Sequence, residues 1–178
     1  GILGMGQIGA RCAERLAPFG FGLASWSRAP KHMNGVKSYA AADELNAFLG
    51  ASDIVLSLLP LTNETRGLIN ADFLAAMKQD GYFGGGMLIN AGRGGLQVEA
   101  DILAALNDGT LAHAVLDVFE TEPLAQDSPL WGHPNVTITP HGAAMSSPKA
   151  LLPPMAAQMR AHDAGEELRN VVDRWAGY

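Results

Sequence analysis

Three glycines near the start of the chain, Gly4, Gly6 and Gly9 in GILGMGQIG, stand at the spacing G-x-G-x-x-G. That pattern suits the pyrophosphate of a dinucleotide. The first glycine permits a tight turn, the second lets backbone approach the phosphates, and the third lets the following helix pack close to its strand. Met5, Gln7 and Ile8 complete the turn, which ends at a helix N-terminus with free N–H groups. At the end of the second predicted strand, SWSRAPK places Ser27, Arg28 and Lys31 where an NAD site usually holds a carboxylate against the ribose 2′-hydroxyl. The first acid after that strand is Asp43. A guanidinium fork with a hydroxyl beside it suits a 2′-phosphate, so the expected cofactor is NADP(H) in preference to NAD(H).

The elements that must position these groups follow from periodicity. Ile8, Cys12 and Leu16 recur every four residues and predict one buried helical face, ended by Pro18 and Gly20. FGLASW, DIVLSLLP, MLIN, HAVLDVF and VTIT predict strands, with DIVLSLLP expected to be buried on both faces. Helices are expected over Asp43 to Leu49, Ala71 to Lys78, and a stripe of Val98, Ile102 and Leu106 closed by Asn107, Asp108 and Gly109. Pro30 to Ser38 reads as a polar loop, and GYFGGGM as a loose loop before a strand. Alternating strands and helices predict an α/β fold, a doubly wound parallel sheet of Rossmann type covered on both faces. In such sheets ligands bind beyond the carboxyl ends of the strands. The rule selects 4–9, 25–28, 59–65, 91–95, 117–123 and 140–144.

Within those windows stand Arg93 in NAGRGG, Asp117 and Glu122 in LDVFETEP, and His141 in ITPHGAA. In this order behind a glycine turn, these segments resemble the D-2-hydroxyacid dehydrogenase family over essentially the whole chain. The stretches SWSRAPK, SLLPLTNETRGLIN, SPLWGHPNVTITPHGAA and VVDRWAGY are similar to its NADPH-dependent branch. The resemblance implies an oxidoreductase that reduces a small 2-keto acid of the glyoxylate or hydroxypyruvate type. Arg93 would bind the substrate carboxylate, for which a planar fork is suited. His141 would give the proton as the carbonyl oxygen gains charge, and Glu122 would support the ring and favour the imidazolium. Asp117 would contact the nicotinamide carboxamide, with backbone at Leu59, Pro60, Ala91 and Gly92 lining the cofactor cleft. Two details depart from the family pattern: the GGG at 84–86 lengthens the approach to the strand before Arg93, and Gly142 stands where a bulkier residue is usual.

Composition narrows the partners. Eighteen acidic against twelve basic residues, a formal charge of −6, oppose a nucleic-acid surface. No apolar run is long enough to span a bilayer, and a single Cys12 excludes an internal disulfide and suggests a cytoplasmic setting. His32, His113, His133 and His162 lack a ligand spacing, so no metal is expected. The resemblance further implies a cofactor domain over 1–146 and a C-terminal helix and tail over 147–178. That segment would return to a substrate domain lying before the glycine turn, in an enzyme that pairs as a homodimer when full-length. On this reading the cofactor half alone binds NADPH but turns over poorly. Two competing readings stand beside it. A catalytically silent NAD(P)H-sensing module has no need of Arg93, Glu122 and His141 together, and an NAD-linked member of the family is opposed by Ser27 and Arg28.

Overall fold

A computed structural model of the chain describes residues 1–144 and 146–175. The chain divides into two compact units, Gly1–His141 and Gly142–Tyr178. The first holds seven strands: β1 (Ile2–Leu3), β2 (Leu23–Ser27), β3 (Val36–Ala40), β4 (Ile54–Ser57), β5 (Gly86–Asn90), β6 (Leu111–Leu116) and β7 (Val136–Ile138). Its helices are α1 (Gln7–Leu16), α2 (Leu45–Gly50), α3 (Ala71–Ala76) and α4 (Glu99–Asp108). The strands form one sheet in the order β3-β2-β1-β4-β5-β6-β7, and all neighbours run parallel. The chain steps outward from β1 to β2 and β3, then crosses back to β4. The β1/β4 boundary is therefore the topological switch point where this architecture binds ligands.

One face of the sheet carries the main core. Leu3, Val55, Leu88, Ala114 and Leu116 project from it against Phe48 and Leu49 of α2, Phe73 and Leu74 of α3, and Ile102 and Leu106 of α4. The opposite face is covered by α1 over β1, where Ile2, Met5 and Ala13 form a smaller cluster. Further along that face, Leu56, Ile89 and Val115 stay partly exposed. Helices thus flank the parallel sheet on both faces, as a doubly wound α/β fold of Rossmann type requires. One expectation is corrected: DIVLSLLP alternates between buried and half-buried positions and is not buried on both faces.

The predicted face of α1 is also corrected. Ile8 is 57 % exposed, whereas Gly9 and Ala13 are the buried positions. Small residues line the contact because a β-carbon on Gly9 would stand 2.1 Å from the carbonyl oxygen of Gly4. The helix thus sits close to the turn at Gly9; of the predicted row, Ile8 faces outward, whereas Cys12 and Leu16 are half-buried and Cys12 packs against the small cluster. The polar stretch at 30–38 conceals a strand, β3. As an edge strand it buries only Tyr39 and Ala40 and carries Lys37 and Ser38, so it shows no apolar run. The GGG segment is absorbed locally: Gly84 turns at φ +73°, and Gly86 opens β5 beside Met77, where a β-carbon would approach the side chain to 2.7 Å.

The second unit contains α5 (Pro148–Asp163), with Pro153 and Pro154 inside it. Gln158 holds the following chain by donating from Nε2 to the Arg169 carbonyl (2.6 Å) and accepting from the Arg169 N–H (3.2 Å). The end of the predicted tail, 176–178, lies outside the described residues. Among the described residues no helix is long and apolar enough to cross a membrane.

The packing at the glycine turn is testable. Gly9→Ala should lower unfolding stability by about 1–3 kcal/mol in a urea titration, because a backbone oxygen must move. Gly6→Ala meets nothing within 4 Å and should cost less than Gly9→Ala in the same titration.

Candidate functional site

All seven parallel strands end at one edge, and the sequence-selected residues follow six of those ends. Gly4, after β1, has φ +100° and lies against the Leu58–Leu59 backbone beyond β4, where its missing β-carbon would come within 3.1 Å. Its N–H donates to the Trp26 carbonyl (2.9 Å), tying the turn to β2. Gly6 caps α1 without any side-chain hydrogen bond, no acid stands in the first turn, and the space beside its Cα is open. The helix therefore presents uncommitted N–H groups and a positive dipole end to the switch point, an arrangement that fits a pyrophosphate. Gln7 and Ile8 are exposed at this end, whereas the Met5 side chain is buried in the small cluster and leaves only its backbone to the turn.

After β2, Arg28 and Lys31 are exposed, and the Lys31 N–H donates to Ser38 Oγ at 3.3 Å. Ser27 differs from expectation. Its hydroxyl is buried and donates to the Ala29 carbonyl at 2.8 Å, so it shapes the loop and does not offer its proton to a ligand. Glu44, the second acid beyond the strand, is engaged: its Oε2 accepts from the Ala40 N–H at 2.6 Å.

Beyond β4, Thr65 Oγ1 donates to the Pro60 carbonyl (2.7 Å) and accepts from the Thr62 N–H (2.8 Å), closing the Leu59–Pro60 loop on itself. Gly92 packs on that loop, since a β-carbon there would lie 2.8 Å from the Leu59 oxygen. Arg93 follows with an exposed side chain whose Nη1 donates to the Gly92 carbonyl at 2.7 Å. Gly94 is the tightest contact at the edge: its missing β-carbon would stand 1.7 Å from the Phe119 oxygen. The loop carrying Arg93 thereby rests directly on the loop carrying Glu122.

That second loop begins at Asp117, because β6 ends at Leu116 and not at Phe119 as the run HAVLDVF suggests. Asp117 is buried; its N–H donates to the Asn90 carbonyl at 3.0 Å, and its Oδ1 accepts from the Thr139 hydroxyl. Glu99 and Glu120 exchange bonds, each carboxylate accepting the other's N–H at 2.8 and 2.7 Å, which clamps the loop to the start of α4. Glu122 accepts from the Phe119 N–H at 3.1 Å through Oε1, and its Oε2 lies 2.8 Å from His141 Nδ1. The hydrogen bond from His141, followed by that from Phe119, holds the Glu122 carboxyl below its ordinary value of 4.5. An ionised carboxylate only accepts, so Nδ1 carries the proton and Nε2 is the nitrogen left to face a ligand. His141 itself has φ +51°, a left-handed conformation that costs a β-carbon-bearing residue about 1 kcal/mol or more. Its N–H donates to the Thr139 carbonyl at 3.0 Å.

Arg93, Glu122 and His141 thus emerge from the ends of β5, β6 and β7, three adjacent strands. Chemically, the edge offers a fork for an anion, a carboxylate-anchored imidazole for a proton, and an open helix N-terminus for phosphates. No group of three His, Cys, Asp or Glu able to hold a metal ion occurs among the described residues. Sequence reasoning missed Asn90 and Gln97, both buried with their amides bonded to each other at 2.8 Å. The available signal was an Asn closing the apolar strand MLIN, since a buried amide requires partners.

Comparison with known proteins gives the same outline. Residues 1–143 match the family model described as D-isomer specific 2-hydroxyacid dehydrogenase, NAD binding domain. Glyoxylate/hydroxypyruvate reductase A of Serratia proteamaculans is 46 % identical over 178 residues, covering 100 % of this chain and 55 % of its own length. The chain therefore spans about half the length of the curated relatives it matches. An NADPH-dependent glyoxylate/hydroxypyruvate reductase from Sinorhizobium meliloti, solved with NADP and sulfate, superposes with a TM-score of 0.95 at 48 % identity, over 99 % of this chain and 56 % of that one. A probable 2-hydroxyacid dehydrogenase from Rhizobium etli, solved with NADP, HEPES and tartaric acid, gives 0.93 at 45 % identity, over 99 % and 56 %.

The Glu122–His141 bond carries a pH signature. Glu122 has a depressed folded-state value, so its contribution to stability is present above the unfolded value of 4.5 and lost as pH falls through the lower folded value. Between pH 6 and pH 3 the urea midpoint of the wild type should fall more steeply than that of Glu122→Gln, which has no carboxylate to protonate. Equal slopes would show that the bond contributes nothing.

Proposed function

The chain belongs to the D-isomer specific 2-hydroxyacid dehydrogenase family, and from that premise we propose that it serves the reduction of a small 2-keto acid, of the glyoxylate or hydroxypyruvate type, to the 2-hydroxy acid with NADPH. The observation that carries this reading is the His141 Nδ1–Glu122 Oε2 bond of 2.8 Å, between the loops that follow β7 and β6, with Arg93 on the loop after the adjacent β5. A sensor that only bound the dinucleotide would gain nothing from a proton donor so anchored.

Each residue has a task. Arg93 binds the substrate carboxylate with its planar fork and so orients the carbonyl. Glu122 holds the ring of His141 through Nδ1, leaving Nε2 to donate a proton to the carbonyl oxygen as charge develops there. We assign Asp117, whose carboxylate accepts from the Thr139 hydroxyl, to the nicotinamide carboxamide. The N-terminus of α1, with Gly4, Gly6 and Gly9, holds the pyrophosphate, while Arg28 and Lys31 take the 2′-phosphate. What a bound NADPH supplies is the hydride. The names of the Serratia and Sinorhizobium relatives support both the substrate class and the preference for NADPH. Residues 147–178 are assigned to the other domain of the family architecture, a reading supported by their falling in a unit of their own.

Two measurements test this. Arg28→Ala should weaken NADPH binding about tenfold, the loss of a charge-assisted contact, and leave NADH affinity unchanged; equal binding of both nucleotides by the wild type would defeat the assignment. In the native protein, His141→Ala should lower kcat for glyoxylate about 10²-fold or more, and wild-type turnover by that variant would end the proposed mechanism.

A further inference from the structure

Asn90 and Gln97 are 0 % and 2 % exposed, and neither belongs to the machinery assigned above. Their hydrogen bonds form a continuous line. Asn90 Oδ1 accepts from the Gly92 N–H (3.1 Å), and Nδ2 donates to the Arg93 carbonyl (3.2 Å) and to Gln97 Oε1 (2.8 Å). Gln97 Nε2 donates to the Val118 carbonyl at 3.0 Å. That carbonyl belongs to the same peptide group as the Phe119 N–H, whose donation to Glu122 was described above. A peptide is planar, so fixing its oxygen also fixes the direction of its N–H.

We propose that Asn90 and Gln97 are positioning residues, a buried amide relay that sets the Arg93 loop and the Glu122–His141 pair in one mutual geometry. The proposal rests on the reductase reading for its consequence in turnover, but its geometry is independent of that reading. Both positions require an amide. Asn90 accepts once and donates twice, and Gln97 accepts from Asn90 while donating to Val118. A carboxylate would lose the donors and bury a charge, and an apolar side chain would leave the Gly92 N–H at one position or the Val118 carbonyl at the other without its partner. Space filling alone would be served equally by Leu or Met. The relay also complements Gly94: the close approach there brings the two loops together, and the amides fix how they are turned.

The test uses Gln97→Leu in the native protein, a change that keeps volume and removes both bonds. The KM for glyoxylate should rise about tenfold through misplacement of the loops, with the NADPH Kd within about twofold, because the phosphate cradle on α1 is untouched. Amide hydrogen exchange should accelerate at Gly92 and Phe119 together. Adding Asn90→Ala to Gln97→Leu should cost less than the sum of the two single changes, since the Asn90–Gln97 link is already cut. Unchanged KM with unchanged exchange would reduce Gln97 to a space filler and overturn the proposal. So would a parallel loss of NADPH affinity, which indicates general destabilisation, or full additivity of the two changes. If Gln97→Leu does not fold, Gln97→Glu, which still accepts from Asn90 but cannot donate to Val118, is read by the same criteria. Exchange needs no turnover: paired acceleration at Gly92 and Phe119 in a protein that reduces no 2-keto acid would refute the reductase reading and leave the relay standing.

Discussion

Where the loop after β5 crosses the loop after β6, Gly94 lies against the carbonyl of Phe119 so closely that no side chain fits between them. The rest of the site depends on that contact. Parallel strands at sheet spacing deliver their ends side by side, but the loops they release must still converge, and two backbones can meet only where a β-carbon is absent. Gly9 against Gly4 and Gly92 against Leu59 repeat the arrangement along the same edge. Each brings a chemically useful group within reach of its neighbour: the open end of α1 over the switch point, the Arg93 loop over the Leu59–Pro60 loop, and Glu122 beside the ring of His141.

Close approach sets position, and polar satisfaction sets orientation. Loops at this edge carry backbone groups that no strand can pair, and side chains take them up: Thr65 at Pro60, Asn90 at Gly92 and Arg93, Gln97 at Val118, Glu122 at Phe119. The groups left with spare capacity are those at which a ligand would bind. Arg93 keeps most of its guanidinium donors, the first turn of α1 has no cap, and His141 has a ring nitrogen not used by Glu122. The left-handed backbone of His141 fits this division, since strain at one residue is held in place by a ring bond and a backbone bond.

The two faces of the sheet divide in the same way. One is closed by α2, α3 and α4 and carries most of the buried apolar area, which is the main source of stability for the first unit. On the other, α1 packs over β1 through Gly9 and Ala13, and Leu56, Ile89 and Val115 are half-buried.

Much of this was legible along the chain because it depends on local chemistry. The G-x-G-x-x-G spacing marked the turn, alternation marked the parallel sheet, and Asn107-Asp108-Gly109 marked the end of α4, with Gly109 at φ +84° as a left-handed cap requires. That Arg93, Glu122 and His141 follow β5, β6 and β7 was legible because loops at strand ends are predictable once the strands are. What local pattern could not decide was which surface a side chain meets. Ile8 has helical spacing but faces outward, because the contact of α1 with the turn tolerates only Gly9 and Ala13. β3 was hidden because an edge strand needs few apolar residues. Ser27 has the right chemistry for a phosphate, yet its proton is committed to Ala29. Asn90 and Gln97 gain meaning only when Val118, distant in sequence, arrives beside them. Spacing determined the turn and the order of the strands; contact between residues far apart decided which groups are satisfied and which remain available, because hydrogen-bond partners and close backbone approaches come into being only when the loops meet.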